Sequence, residues 1–117
     1  MAGEDRENKM TNPPYAFIEN LSDKIPEIPA DSIISRTIFG DEQIKTVLFG
    51  FAPGQELSEH TSSQAAVLYF VRGEANLTLG NDEMQAPAGS WVHMPPGLAH
   101  RIFAETELVM LLILLRD

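Results

Sequence analysis

From Ser32 onward, turn residues cut this chain into short apolar or alternating segments. The corners are Gly40-Asp41-Glu42, Pro53-Gly54, Gly73, Gly80-Asn81, Pro87-Ala88-Gly89 and Pro95-Pro96-Gly97. Between them lie Ile33 to Phe39, Ile44 to Ala52, Ala66 to Arg72, Glu74 to Leu79, Asp82 to Ala86, Trp91 to Met94, His100 to Ala104 and Glu107 to Leu115. No stretch of ten or more residues carries a convincing helical period. Gly80-Asn81 suits a two-residue hairpin turn, since both residue types accept a left-handed backbone. Short strands closed by frequent turn signals are the pattern of an all-β sandwich or barrel.

The segments upstream read differently. Residues 1–14 are polar, end in Asn12-Pro13-Pro14, and are expected to form a mobile arm. Tyr15 to Leu21 fits a short strand or helical turn. Pro26 and Pro29 argue against a regular element over Lys24 to Ala30. Residues 15–117 are therefore expected to be one domain, and 117 residues suffice for a real core. The longest apolar run, Leu108 to Leu115, is far below the roughly 20 residues of a membrane helix and reads as a buried strand. No membrane partner is expected, and with no basic start or apolar leader a cytoplasmic location is the default. The net charge of -9 repels a phosphate backbone, so no nucleic-acid partner is expected. With no cysteine, metal ligands must come chiefly from imidazole, carboxylate, amide, hydroxyl or water.

Leu108 to Leu115 is apolar on both faces, and Phe49 and Phe51 suggest the same for their strand. One face meets the core and the other needs a cover. A homodimer built on an outer sheet is the preferred expectation, and cover by residues 15–30 of the same chain is the alternative.

Two histidines sit in glycine-bounded frames. Gly89, Pro95, Gly97 and His100 share one frame; Gly54, His60 and Gly73 share the other. The tight Pro95-Pro96-Gly97 reversal re-aims the chain just before His100. In these spacings the chain resembles the cupin superfamily. That family's second motif has glycine, proline, glycine and histidine at these separations, followed by an asparagine where Ala104 stands here. The first motif has a second histidine at the place of Ser62 and a glutamate at the place of Ala66. The resemblance implies a double-stranded β-helix, a jelly-roll barrel, with an irregular N-terminal arm. It also implies that His60 and His100 face one interior.

The same resemblance implies a metal set of three histidines and one glutamate, of which two side chains are present. Other residues would have to complete it. On a regular strand Gln64 would share the face of the missing glutamate and could offer an amide oxygen. Glu56 would share the face of Ser58 and His60, although an exposed position suits it better. Glu59 should point away from His60. His93 joins the pair if the Trp91 face is interior; if Val92 and Met94 face the interior, as suits two aliphatic side chains, it lies outside. The candidate metal ligands are thus His60, His100, Gln64 and His93. Ser62, Leu68, Phe70, Met84 and Ile102 are candidate pocket residues from alternation.

Two functions fit. One is a small protein binding a divalent transition metal (zinc, iron, nickel, manganese or copper) and a small organic ligand, as in a dioxygenase or isomerase. The other is a non-catalytic small-molecule binding or sensing module whose metal site has eroded. No nucleophile elbow, phosphate-cradling loop or dinucleotide fingerprint is present.

Overall fold

The structure, a computed structural model, describes residues 14–116. The expected N-terminal arm lies outside them, apart from Pro14. A short 3-10 helix, Leu21–Lys24, is capped by the Asn20 side chain, which accepts from the Ser22 N–H. Nine strands follow: β1 (Ile33–Gly40), β2 (Ile44–Phe51), β3 (Glu56–His60), β4 (Ala66–Arg72), β5 (Glu74–Leu79), β6 (Asp82–Pro87), β7 (Trp91–Met94), β8 (His100–Ala104) and β9 (Leu108–Leu115). Eight of them lie where the turn signals put strands, and β3 is added to that set.

The strands form two antiparallel sheets, β1-β2-β9-β4-β7 and β3-β8-β5-β6. This is the expected jelly-roll barrel. Alternate residues point inward, and their apolar side chains fill the space between the sheets. Phe51, Leu68, Phe70, Leu77, Ile102 and Met110 are all fully buried there. Turns hold the register. The Asp41 carboxylate accepts the N–H groups of Gln43 and Ile44 and closes the β1–β2 hairpin; those bonds hold its pKa below the usual carboxylate value.

The outer face of the five-stranded sheet has its own apolar cluster. Ile25, at 2% exposed, packs with Leu48 and Val109, and Ile28, Ile34 and Leu111 border them. Gly50 makes room for this cover, because a Cβ there would stand 2.8 Å from Ile28 and 2.9 Å from Ile25. Cover from within residues 15–30 is therefore real on this half of the sheet. Phe49 and Phe51 do not demand an external cover: both pack into the barrel interior, and Leu48 and Gly50 take the outer side of β2.

Candidate ligand site at the histidine pair

β3 and β8 are neighbours in the smaller sheet, and His60 pairs directly with His100. Leu57 pairs with Ile102, so three steps on β3 match two on β8. One extra residue is therefore accommodated between Leu57 and His60, as in a β-bulge. The irregularity breaks simple alternation and lets both Leu57 and His60 address the interior side. Glu56 is not part of the site. It binds Arg101 through both carboxylate oxygens, at 2.8 and 3.0 Å, and this raises the arginine's pKa.

The two imidazoles meet edge to face, with centroids 4.1 Å apart and planes at 63°. Each Nδ1 lies against the carbonyl two residues back: His60 on Ser58 at 2.9 Å, His100 on Leu98 at 3.0 Å. A carbonyl oxygen only accepts, so each Nδ1 carries a hydrogen and Nε2 is the ring nitrogen left without a backbone partner. His100 is 6% exposed and His60 is exposed. No side-chain nitrogen or oxygen among the described residues is both buried and unpartnered. The His100 Nε2 is therefore not sealed off from solvent.

Burial holds the His100 pKa below the ordinary histidine value; the Leu98 carbonyl opposes this, and His60 reinforces it. A folded-state pKa below the unfolded one means that, as pH falls, the unfolded chain gains the proton first. The resulting stability is complete above the unfolded value of 6.5 and is lost as pH drops through the folded value. Urea midpoints measured from pH 7.5 to 5 should fall more steeply for the wild type than for His100→Gln. Equal slopes would show that His100 carries no such linkage.

The other candidates lie elsewhere. His93 is exposed beside Trp91 on the outer face, and Met94 is buried on the inner one, so no three-histidine site forms. Gln64 precedes β4, in a bend and not on a regular strand, and its N–H donates to the Ser62 Oγ at 3.1 Å. Ser62 sits in the same loop. Its carbonyl accepts the Gly97 N–H at 2.8 Å, tying the loop after β3 to the turn before β8. Leu68, Phe70 and Ile102 are fully buried and fill the core. Met84 pairs with Leu77 but lies on edge strand β6 and is 36% exposed. Glu59 is exposed and, with Thr78, Gly80, Ala99, His100 and Arg101, lines a cavity of ≈ 30 Å³.

Leu79 pairs directly with His100, and sequence reasoning did not select it for the site. Its signal was present, since it is the last alternating residue before Gly80. Leu57 was hidden by the bulge.

The chain belongs to the cupin family: the model of the cupin domain matches residues 47–115. Solved structures agree on the fold. A cupin superfamily protein from Desulfitobacterium hafniense is 23% identical with a TM-score of 0.79, the match covering 92% of this chain and 97% of that one. A Streptococcus pyogenes protein of unknown function is 25% identical with a TM-score of 0.78, covering 92% and 93%. A Thermus thermophilus protein is 20% identical with a TM-score of 0.75, covering 85% and 96%. No curated protein matches.

The residues present do not fit a self-sufficient metal centre of the expected kind. Among the described residues no group of three or more histidine, cysteine or acidic side chains could hold an ion. The frame's carboxylate position is Ala66, 1% exposed, a methyl group in the core. Spacing points the same way. With metal–nitrogen bonds of about 2.0–2.1 Å, two imidazole centroids stand about 5 Å apart across a tetrahedral angle and about 4.5 Å across a right angle. The observed 4.1 Å is closer than either.

Proposed function

We propose that this chain is a small-molecule-binding cupin module, with the His60–His100 pair as the anchor for its ligand. The carrying observation is the edge-to-face ring contact with both Nδ1 atoms tied to backbone carbonyls. It leaves the Nε2 atoms as the two ring nitrogens without a backbone partner, bordered by the apolar Leu57 and Leu79. Such a site suits a small organic molecule with adjacent O–H or N–H donors on an apolar body. Each hydrogen bond contributes about 1 kcal/mol, and burial of the body contributes the rest. A sensing or sequestering role follows from binding alone.

A second reading, a metal-dependent dioxygenase or isomerase, is favoured by one observation. Metal-bound histidines almost always donate their other ring N–H to such a partner, as both rings do here. Two protein donors would leave the rest of the shell to water or ligand.

Metal analysis of protein purified without an affinity tag separates the two. The binding-module reading expects far less than one ion per chain. It also expects a melting shift with catechol, a probe with two adjacent hydroxyls, that is lost in His60→Ala. Stoichiometric metal that disappears in His60→Ala establishes the second reading instead.

A further inference from the structure

Tyr15, Ala16, Phe17 and Ile18 form an irregular strap beside edge strand β1. Among the described residues no backbone hydrogen bond joins the strap to the sheet, so side-chain contact holds it and it opens at little cost. Two clefts meet at the strap and share Ala16, Ile18 and Ile38. The inner one, ≈ 340 Å³, lies over the outer side of β2 and β9. Ile18, Leu21, Ile38, Ile44 and Leu111 line it, and Thr46 is its only polar side chain. The outer one, ≈ 440 Å³, is bordered by Tyr15 and Phe17, 70% and 77% exposed, and by Lys24 and Arg36. Glu19, Asp23 and Glu27 belong to the same stretch of chain but line neither cleft.

We infer that the two clefts together bind a small amphiphile with one anionic head and an alkyl tail, of the fatty-acid class. The tail lies in the inner cleft, where only the Thr46 hydroxyl asks for a hydrogen bond and each methylene taken from water adds to affinity. The head lies at Lys24 and Arg36. The Arg36 Nη1 donates to the Lys24 carbonyl at 3.2 Å, which ties the arginine to the lysine's backbone and uses only part of the guanidinium fork. The rest of that planar fork matches a carboxylate, and the Lys24 ammonium adds a second cation.

Charge favours a small ligand with a single negative group over a larger acidic partner. The chain carries -9, and that field repels a nucleic acid or an anionic surface over its whole breadth. A small ion close to two cations is governed by them, because charges beyond about 8–10 Å are largely screened. Among the described residues neither Lys24 nor Arg36 takes part in an ion pair, whereas Arg72 and Arg101 do. The barrel core separates the outer side of this sheet from the histidine pair, so the inference is independent of what that pair binds.

Decanoate is the probe, titrated calorimetrically into the full chain at neutral pH and below its micelle concentration. It should bind at a single site. Hexanoate should bind at least about 30-fold more weakly, since each methylene contributes about 4-fold. Decyltrimethylammonium, with the same tail and the opposite charge, should show no measurable binding. Lys24→Gln combined with Arg36→Gln should weaken decanoate at least about 10-fold. Ala16→Trp, at an exposed position that walls both clefts, should abolish binding. His60→Ala should bind decanoate as the wild type does. Each of the following overturns the inference: no decanoate binding, equal binding of the cationic amphiphile, wild-type affinity in the charge variant or in Ala16→Trp, or loss of binding in His60→Ala. Sedimentation with phosphatidylglycerol vesicles in place of decanoate binding assigns the patch to a membrane surface and overturns it too.

Discussion

Gly73→Ala should lower the unfolding free energy by about 4 kcal/mol or more, close to the limit for a single substitution. Gly73 has φ +91, a conformation that costs side-chain-bearing residues energy. A Cβ there would lie 2.0 Å from the Glu107 carbonyl oxygen and 2.9 Å from the Leu108 Cα. Both are backbone atoms, so no rotamer change relieves the overlap, and the β4–β5 corner must pull away from the start of β9. Gly97 makes the control. Its φ is +85, but a Cβ there meets nothing within 4 Å, so alanine should cost only the conformational strain, about 1–2 kcal/mol. Urea denaturation of the two variants measures the difference. Equal losses would mean that the corner has freedom to move and that the close approach to Glu107 does not set the cost.

Ala66→Glu should destabilise by about 3 kcal/mol in metal-free buffer, and added nickel or zinc should restore much of the loss. Ala66 is 1% exposed and pairs with Met94 and Leu114, so a carboxylate there loses water without gaining a donor. It would also supply the anionic group that the cupin frame assigns to this position. An ion that binds only the folded chain adds stability as its concentration exceeds Kd, about 2.7 kcal/mol at 100 times Kd. The wild type, with two donors, should show little metal-dependent change. A folded Ala66→Glu protein whose midpoint ignores both metals would show that position 66 does not reach the pair. A wild type that responds strongly would overturn the conclusion that the present residues do not make a metal centre.

Much of the barrel was legible because strands and turns here obey local rules. Gly80-Asn81 marked the β5–β6 hairpin, and the Pro95-Pro96-Gly97 corner separated β7 from β8 in the right place. The aliphatic pair Val92 and Met94 correctly indicated the inner face of β7, which placed His93 outside. The histidine frames also brought His60 and His100 together, because backbone corners fix where each strand begins. What failed was alternation where alternation is broken. The extra residue between Leu57 and His60 gave no composition signal, since Ser58 and Glu59 are ordinary surface residues. Gln64 looked like a strand residue only because β4 was extended backwards through a loop. The N-terminal cover was underestimated because Ile25 and Ile28 sit among prolines, and no periodic pattern marks a segment that packs without regular structure. Their receptor, the missing side chain of Gly50, is equally silent in one dimension.

The irregularity in β3 makes the site a matter of counting. Upstream of it Glu56 faces solvent and grips Arg101; downstream of it an imidazole reaches its partner. The identities of residues 58 and 59 matter little to that outcome, since Ser58 contributes its carbonyl and Glu59 is exposed. Their number matters a great deal. Drift in this lineage should therefore freely exchange the side chains of the short loop-out while forbidding any insertion or deletion within it, because a one-residue change in length would aim the ring at bulk water.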